Sequence, residues 1–92
     1  MKKTVRISKQ VQDFIQTLSP DPKKALRQGL RGLETDEGNI CSLNDDLKGY
    51  YRLRVRSYRV IFSRPEPAII QCEYAEHRKV VYKHWSRLIL VQ

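Results

Sequence analysis

The clearest pattern in the chain is the alternation of apolar and basic residues through positions 47–62. A period of two is that of a β-strand, and the Arg56-Ser57 pair at the centre predicts a two-residue turn that folds the segment into a hairpin. On one face this register brings together only apolar partners: Val55 with Tyr58, Leu53 with Val60, and Tyr51 with Phe62. That face of the hairpin is therefore suited to a hydrophobic core.

The other face of the predicted hairpin is basic. Arg54 lies opposite Arg59, and Arg52 lies beside them. Like charges directly opposite each other destabilise a sheet, so their presence here indicates a site that receives an anion. The forked donors of arginine favour a phosphate as that anion.

Two amphipathic helices are predicted ahead of the hairpin. A short strand over Thr4–Ser8 ends at Ser8, which is a suitable N-cap for the first helix. Asp21 caps the second helix, which continues to residue 34, and Gly29 and Gly32 within it indicate close packing because glycine is a poor helix former. Helical spacing defines the two buried stripes: Val11, Phe14, Ile15 and Leu18 in the first helix, and Leu26, Leu30 and Leu33 in the second.

The remaining segments complete an α+β fold. The acidic residues 35–46 are predicted to form a loop, and Arg64–Pro67 a turn, because proline has no N–H for a β-ladder. Ala68–Tyr74 is predicted to be a strand and Ala75–Arg78 a loop. A short C-terminal helix follows, with an apolar stripe of Val80, Val81, Trp85, Leu88 and Ile89. The predicted architecture is a small antiparallel sheet with the two N-terminal helices packed on one face and the short C-terminal helix.

Length and charge narrow the function. The chain has 92 residues, with 18 Lys and Arg against 10 Asp and Glu and a net charge of +8. This length fits a single domain over residues 1–92. The excess positive charge favours a polyanionic partner such as nucleic acid, and the segment from Lys48 to Arg64 contains basic residues and no acidic one. A merely solvated basic face is the alternative.

Metal binding, membrane insertion and secretion are not predicted. The candidate zinc ligands have spacings that match no paired-ligand pattern: Cys41, Cys72, His77 and His84. No stretch approaches a membrane-spanning length, and the N-terminal residues lack the features of a secretory signal. Two cysteines in such a chain predict the reducing cytoplasm.

Three stretches together resemble the RelE/ParE superfamily of toxins from toxin-antitoxin systems. They are Leu47–Val55, Tyr58–Phe62, and the pair His77-Arg78 followed by Val81-Tyr82. The order of two helices before a hairpin agrees with the superfamily, and the resemblance covers nearly the whole chain. It implies a small toxin that a cognate antitoxin neutralises.

Within the superfamily the residues favour the RelE-like branch, for which the resemblance implies an endoribonuclease that cuts mRNA in the ribosomal A site without metal or cofactor. The ribose 2′-OH attacks the neighbouring phosphate, and fixed guanidinium groups stabilise the developing charge. By position, Arg59 and Arg78 resemble the family's phosphate-stabilising arginines, and Tyr82 resembles its C-terminal functional tyrosine. The predicted catalytic residues are these three together with Arg52, Arg54 and His77, and the predicted RNA-binding residues are Lys48, Tyr50 and Arg56. The implied partners are the antitoxin, the ribosome and mRNA.

Two departures from the family pattern bear on this mechanism. Relatives often carry lysines where this chain has Arg52 and Arg54, and arginine does not readily yield a proton at neutral pH. His77 is then the favoured proton-transfer group, with Glu76 as the second choice. Relatives also commonly have Gly-Asp at the turn, so the Arg56-Ser57 turn lacks its usual positive-φ residue, and a wider turn is the alternative.

Two other functions fit the same residues. The ParE branch shares the fold but poisons DNA gyrase, and an inactive toxin retained as an antitoxin-binding protein would also lack the lysines. Retention of His77, Arg78 and Tyr82 beside the hairpin arginines favours the nuclease.

Overall fold

The computed structural model describes residues 2–85 and shows a five-stranded sheet flanked by helices. The strands are β1 (Thr4–Ile7), β2 (Asn39–Ser42), β3 (Tyr50–Val55), β4 (Tyr58–Glu66) and β5 (Ile69–His77). The helices are α1 (Lys9–Gln16) and α2 (Pro20–Gly32), with 3₁₀ turns at Leu33–Thr35 and Asp45–Leu47. Residues 81–85 are also helical. The predicted α+β fold class is confirmed.

The strands lie in the order β1-β5-β4-β3-β2. Antiparallel pairing joins β3, β4 and β5, as predicted, and also joins β2 to β3, whereas β1 pairs with β5 in parallel. Parallel pairing needs a long connection, and here the helices and the other strands supply it. The sheet is therefore mixed, with β1 and β2 at its edges.

The predicted register of the β3–β4 hairpin is confirmed pair by pair, including Arg54 opposite Arg59. Its turn is tight, and Arg56 occupies the left-handed region with φ 54. That conformation costs a residue with a Cβ about 1–2 kcal/mol. The apolar pairs on either side fix the register and hold the turn closed, so the wider turn is not formed.

The helices α1 and α2 cover one face of the sheet. Ser8 caps α1 as predicted, since its hydroxyl oxygen accepts the backbone N–H of Val11 at 3.2 Å. The second helix begins at Pro20 with Ser19 as its N-cap, rather than at the predicted Asp21, because proline suits the first helical position. The main core between helices and sheet is formed by Val11, Ile15, Leu26, Leu30, Leu33, Leu53, Val60, Phe62, Ile70, Cys72 and Ala75.

The close packing predicted from the helical glycines is confirmed at Gly29. A Cβ at this position would lie 2.6 Å from Cγ2 of Val55 on β3. No larger residue fits there unless β3 or its side chain moves. The helix α2 can therefore approach the hairpin closely.

A second, smaller apolar cluster lies on the opposite face of the sheet. It contains Ile61, Tyr74, Val81 and Trp85. Ile61 lies between two core residues of β4, so alternation directs its side chain away from the main core. Trp85 is buried as predicted, whereas its predicted partners Leu88 and Ile89 lie outside the described residues.

Three loop predictions were wrong. Residues 39–42 form the edge strand β2 against β3. The predicted turn at 64–67 is displaced, because β4 continues through Pro65 to Glu66, where the register with β5 is irregular and proline is tolerated. Most of the predicted loop at 75–78 is strand, because β5 continues to His77.

Candidate active site

A β-bulge in β5 determines which side chains share a face with the hairpin arginines. Cys72 and Tyr74 pair with two successive residues of β4, so Glu73 between them is an extra residue. As a result Cys72 and Ala75, three positions apart, both belong to the main core. Strict alternation would have placed them on opposite faces.

Beyond the bulge, Glu76 pairs with Arg59 and His77 pairs with Tyr58. Tyr58 packs against the main core under the helices, and its ring centroid lies 6.1 Å from that of His77. Nδ1 of His77 accepts the backbone N–H of Lys79 at 3.2 Å. The structure therefore places the His77 ring on the helix-covered face and brings Glu76, rather than His77, to the arginines.

Side chains at the start of α1 hold the bulge in place. Oε1 of Gln10 accepts the backbone N–H of Ala75, and Nε2 of Gln10 donates to the carbonyl oxygen of the same residue, both at 2.8 Å. The Ser8 hydroxyl donates to the carbonyl oxygen of Glu73 at 2.9 Å. A bulge interrupts ladder hydrogen bonds, and these side chains supply partners for the backbone groups around it.

Arg52, Arg54 and Arg59 lie on the sheet face opposite α1 and α2, which we call the arginine face. Arg59 is only 8% exposed, and its Nη1 donates to the carbonyl oxygens of Arg56 at 2.9 Å and Tyr58 at 2.8 Å. Burial, followed by the charges of Arg54 and Arg52, lowers the pKa of Arg59. Arginine nevertheless stays protonated near neutral pH, so a positive charge is fixed among other positive charges.

Arg78 and Tyr82 complete this group. The backbone N–H of Arg78 donates to the carbonyl oxygen of Ser57 at 2.8 Å, which ties the segment after β5 to the hairpin turn. The charge of Arg78 also lowers the pKa of Arg59 and Tyr82 raises it, so both side chains lie within electrostatic reach of Arg59. Of the predicted catalytic residues, the structure brings together Arg52, Arg54, Arg59, Arg78 and Tyr82.

Among the described side chains of residues 2–85, no carboxylate forms a salt bridge with the four arginines of this group. Two other arginines do have such partners: Arg56 contacts Asp21 at 2.8 Å, and Arg64 contacts Asp36 at 3.0 Å. In the same part of the chain, Nε of Arg52 is buried without a hydrogen-bond partner. Guanidinium groups that lack a carboxylate partner can bind phosphate oxygens.

Glu76 also belongs to a polar cluster that the sequence analysis missed. The Tyr74 hydroxyl lies 3.4 Å from Oε2 of Glu76 and 3.4 Å from Nδ1 of His84, and the last two atoms are 3.6 Å apart. Burial, followed by the charge of Glu76, raises the pKa of Tyr74. A carboxylate and an imidazole can accept and return protons at neutral pH. The bulge places Tyr74 and Glu76 on this face of the sheet. Predicting the cluster from the sequence would therefore have required the pairing register between β4 and β5.

The predicted RNA-binding residues divide between two places. Lys48 and Tyr50 line an open groove of about 770 Å³ beside the segment 42–45. The Tyr50 ring packs edge-on to Trp85, with 5.3 Å between centroids. Arg56 instead extends from the turn to Asp21 at the start of α2, so the structure does not bring it into the arginine group.

Residues 2–85 contain no group of three or more His, Cys, Asp or Glu side chains placed to hold a metal ion. Within this same range, no helix has the length and apolar character needed to cross a membrane.

Solved structures with this architecture include complexes of RelE with RelB and a structure of YafQ. RelE in the archaeal RelE-RelB complex from Pyrococcus horikoshii OT3 is 25% identical, with a TM-score of 0.68 over 85% of this chain and 97% of that one. The toxin-antitoxin complex RelBE2 from Mycobacterium tuberculosis gives 21% identity and a TM-score of 0.71 over 85% of this chain and 93% of that one. YafQ from E. coli strain BL21(DE3) is 15% identical, with a TM-score of 0.65 over 86% of this chain and 97% of that one. No protein-family model and no curated protein matches the sequence.

This chain thus has the α+β fold found in the archaeal RelE-RelB complex and in the toxin-antitoxin complex RelBE2. The resemblance to the RelE/ParE superfamily that the sequence predicts is confirmed by these structures.

Proposed function

We propose that this toxin inhibits translation by cutting mRNA on the ribosome. The observation that carries the proposal is the group of four arginines without carboxylate partners among residues 2–85, one of them buried and fixed by the hairpin turn. Such an arrangement is unfavourable by itself and becomes favourable when a phosphate enters. Preorganised charges of this kind stabilise a transition state more than a ground state.

The proposed reaction is an in-line transfer within RNA. The ribose 2′-oxygen forms a bond to the adjacent phosphorus, the bond from phosphorus to the 5′-oxygen breaks, and a 2′,3′-cyclic phosphate remains. The 2′-hydroxyl loses a proton and the departing 5′-oxygen gains one. Arg54, Arg59 and Arg78 stabilise the additional negative charge on the pentacoordinate phosphorus. Tyr82 positions the neighbouring base.

The proton acceptor that we propose is Glu76. It lies directly opposite Arg59 on the adjacent strand, on the face that carries the arginines. Its contacts with Tyr74 and His84 give the accepted proton a path away from the site. His77, the proton-transfer group that the sequence favours, has a ring that faces the helices in this structure.

An antitoxin partner is also part of the proposal. Among the structural neighbours, the RelE from Pyrococcus horikoshii OT3 is in complex with RelB. This chain has a groove of about 340 Å³ between β1 and the helices, with Val5, Ile7 and Leu30 on its apolar wall and Arg27 and Arg31 at its rim. An acidic amphipathic segment would fit such a surface by ordering on it.

The proposal is tested with purified protein, ribosomes carrying a defined mRNA, and mapping of the RNA ends. Arg54→Ala is the test variant because Arg54 is an exposed strand residue, and Arg6→Ala on β1 is its match in exposure, secondary structure and charge change. We expect Arg54→Ala to slow cleavage about 10²-fold, as loss of one charge-stabilising donor does, and Arg6→Ala to retain parental activity.

Two outcomes contradict the proposal in different ways. Intact mRNA together with arrest of DNA replication would indicate a gyrase poison of the ParE type. Intact mRNA together with normal translation and replication after induction would indicate an inactive protein that only binds its antitoxin.

A further inference from the structure

A second cationic surface lies on the outer side of α2. Lys23, Arg27 and Arg31 follow one another at intervals of four residues, so their side chains lie along one flank of the helix. This flank forms a groove of about 490 Å³ whose lining consists of Pro20, Lys23, Lys24, Arg27, Gln28 and Arg31.

The groove is separate from the arginine face. The helix α2 buries Leu26 and Leu30 against the helix-covered side of the sheet, whereas the arginine face is the opposite side. Among the described side chains, no salt bridge involves the cations of this groove, and the nearby Asp21 is engaged by Arg56. Cationic side chains therefore lie on the outer side of α2 as well as on the arginine face.

We propose that the α2 groove binds the phosphate backbone of structured RNA, as a second contact that holds the toxin on its target. The inference rests on the proposed function in one respect, since RNA is the polyanion that a translation-inhibiting nuclease meets. Phosphate recognition depends on positive charges and does not require apolar pockets, because the affinity comes largely from counterion release.

The composition of the groove favours RNA over an acidic protein segment. An amphipathic peptide is anchored by apolar side chains, and the α2 groove offers only Pro20 as an apolar lining residue. The neighbouring groove beside β1 has an apolar wall that includes Val5, Ile7 and Leu30. The two grooves share Arg27 and Arg31, and they differ in what lies beside these cations: apolar side chains in the groove beside β1, and Lys23 and Lys24 in the α2 groove. A peptide partner is therefore better served by the apolar wall and a phosphate backbone by the additional lysines.

The experiment measures binding of a fluorescently labelled RNA duplex over a series of salt concentrations. The test variant combines Lys23→Gln, Arg27→Gln and Arg31→Gln, which removes three charges and keeps good helix formers. The matched control combines Lys2→Gln, Arg6→Gln and Lys9→Gln, which removes three charges from exposed positions around β1. Circular dichroism and thermal unfolding establish that both variants are folded.

We expect the test variant to bind more weakly and the plot of log affinity against log salt to lose about 0.9 in slope for each phosphate contact removed. The control should keep most of the parental slope. Equal losses in both variants would show that net charge alone is responsible and would overturn the proposal. So would unchanged duplex binding accompanied by weaker binding of a poly-glutamate peptide.

The duplex measurement is independent of cleavage. If the parent protein cuts no mRNA on ribosomes and the test variant alone loses duplex binding, the proposed nuclease is wrong and the RNA-binding groove stands. If mRNA is cut and duplex binding is insensitive to the α2 substitutions, the nuclease stands and the groove is not an RNA contact.

Discussion

Glu76 faces Arg59 across two antiparallel strands, and the next residue, His77, faces Tyr58 on the other side of the sheet. One extra residue in β5, Glu73, produces this arrangement. Because the side-chain period of a strand is two, a one-residue bulge exchanges the faces of every residue beyond it. The chemistry available to the arginines therefore depends on a local irregularity of the backbone.

The first prediction compares the two adjacent residues. Glu76→Gln removes the carboxylate on the arginine face, and we expect cleavage of ribosome-bound mRNA to slow by about 10²-fold or more. His77→Gln changes a ring on the helix-covered face and should leave the rate close to that of the parent. The rates are measured in single-turnover reactions across a range of pH. A severe defect in His77→Gln with a normal rate in Glu76→Gln would reverse the assignment.

The second prediction concerns Gln10, whose side chain binds both the N–H and the carbonyl oxygen of Ala75. Gln10→Ala leaves two part-buried backbone groups without these partners, and we expect the free energy of unfolding to fall by about 1–3 kcal/mol. Gln12→Ala, at an exposed position of the same helix, is the control and should change stability little. Urea unfolding gives both values. Equal stability of the two variants would show that Gln10 does not hold the bulge.

The register of the β3–β4 hairpin could be predicted because the segment carries its own evidence. Apolar residues pair only with apolar residues when the turn is placed at Arg56 and Ser57, and a shift by one residue would bury arginines. The pattern also predicted the facing pair Arg54 and Arg59. Local pattern and tertiary structure agree here, so sequence reasoning reached the correct answer.

The end of β5 could not be predicted in the same way. Alternation from Ile70 and Cys72 places Glu76 on the core side and His77 outward, and only the bulge at Glu73 reverses them. The groups that satisfy this bulge come from α1, more than sixty residues earlier in the sequence. Such long-range compensation leaves no periodic signal. The edge strand β2 was missed for a similar reason, since its pairing with β3 spans an acidic, turn-rich segment.

The third prediction concerns the contact between α2 and the hairpin. Gly29→Ala gains about 1 kcal/mol of helix propensity. Its Cβ would nevertheless lie 2.6 Å from Cγ2 of Val55, and we expect a net destabilisation of about 1–3 kcal/mol from overpacking. Combining it with Val55→Ala removes the clashing methyl group, so the double variant should be more stable than the sum of the two single effects. Additive losses in the urea measurements would argue against the clash.

The fourth prediction concerns the two thiols. Cys72 is buried in the main core, and burial raises its pKa to about 12, so that it is a neutral thiol at pH 7. Cys41 lies exposed on the edge strand β2. Because the thiolate is the reactive form, a thiol reagent should titrate one cysteine rapidly in the native protein and both in urea. Cys41→Ser should abolish the rapid phase, and a rapid phase that survives this change would mean that Cys72 is accessible.

The fifth prediction concerns acid stability. Asp36 accepts a hydrogen bond from Lys3 and another from Arg64, and these contacts lower its pKa in that order of importance. A carboxyl group whose pKa is lower in the folded state stabilises that state above its unfolded pKa, and the stabilisation is lost as the pH falls through the folded pKa. We therefore expect Asp36→Asn to be less stable than the parent at neutral pH, with the difference closing below about pH 4.

Asparagine is the appropriate replacement at this position because Asp36 has φ 57, and asparagine tolerates the left-handed conformation. Asp13→Asn, at an exposed site of α1, controls for removal of one negative charge from this basic protein. The measurement is the free energy of unfolding of the parent and both variants between pH 3 and pH 7. A difference that does not narrow at all between pH 7 and pH 3 would mean that Asp36 acts through its backbone position rather than its charge, because protonation of the unfolded carboxyl reduces a charge contribution below about pH 4.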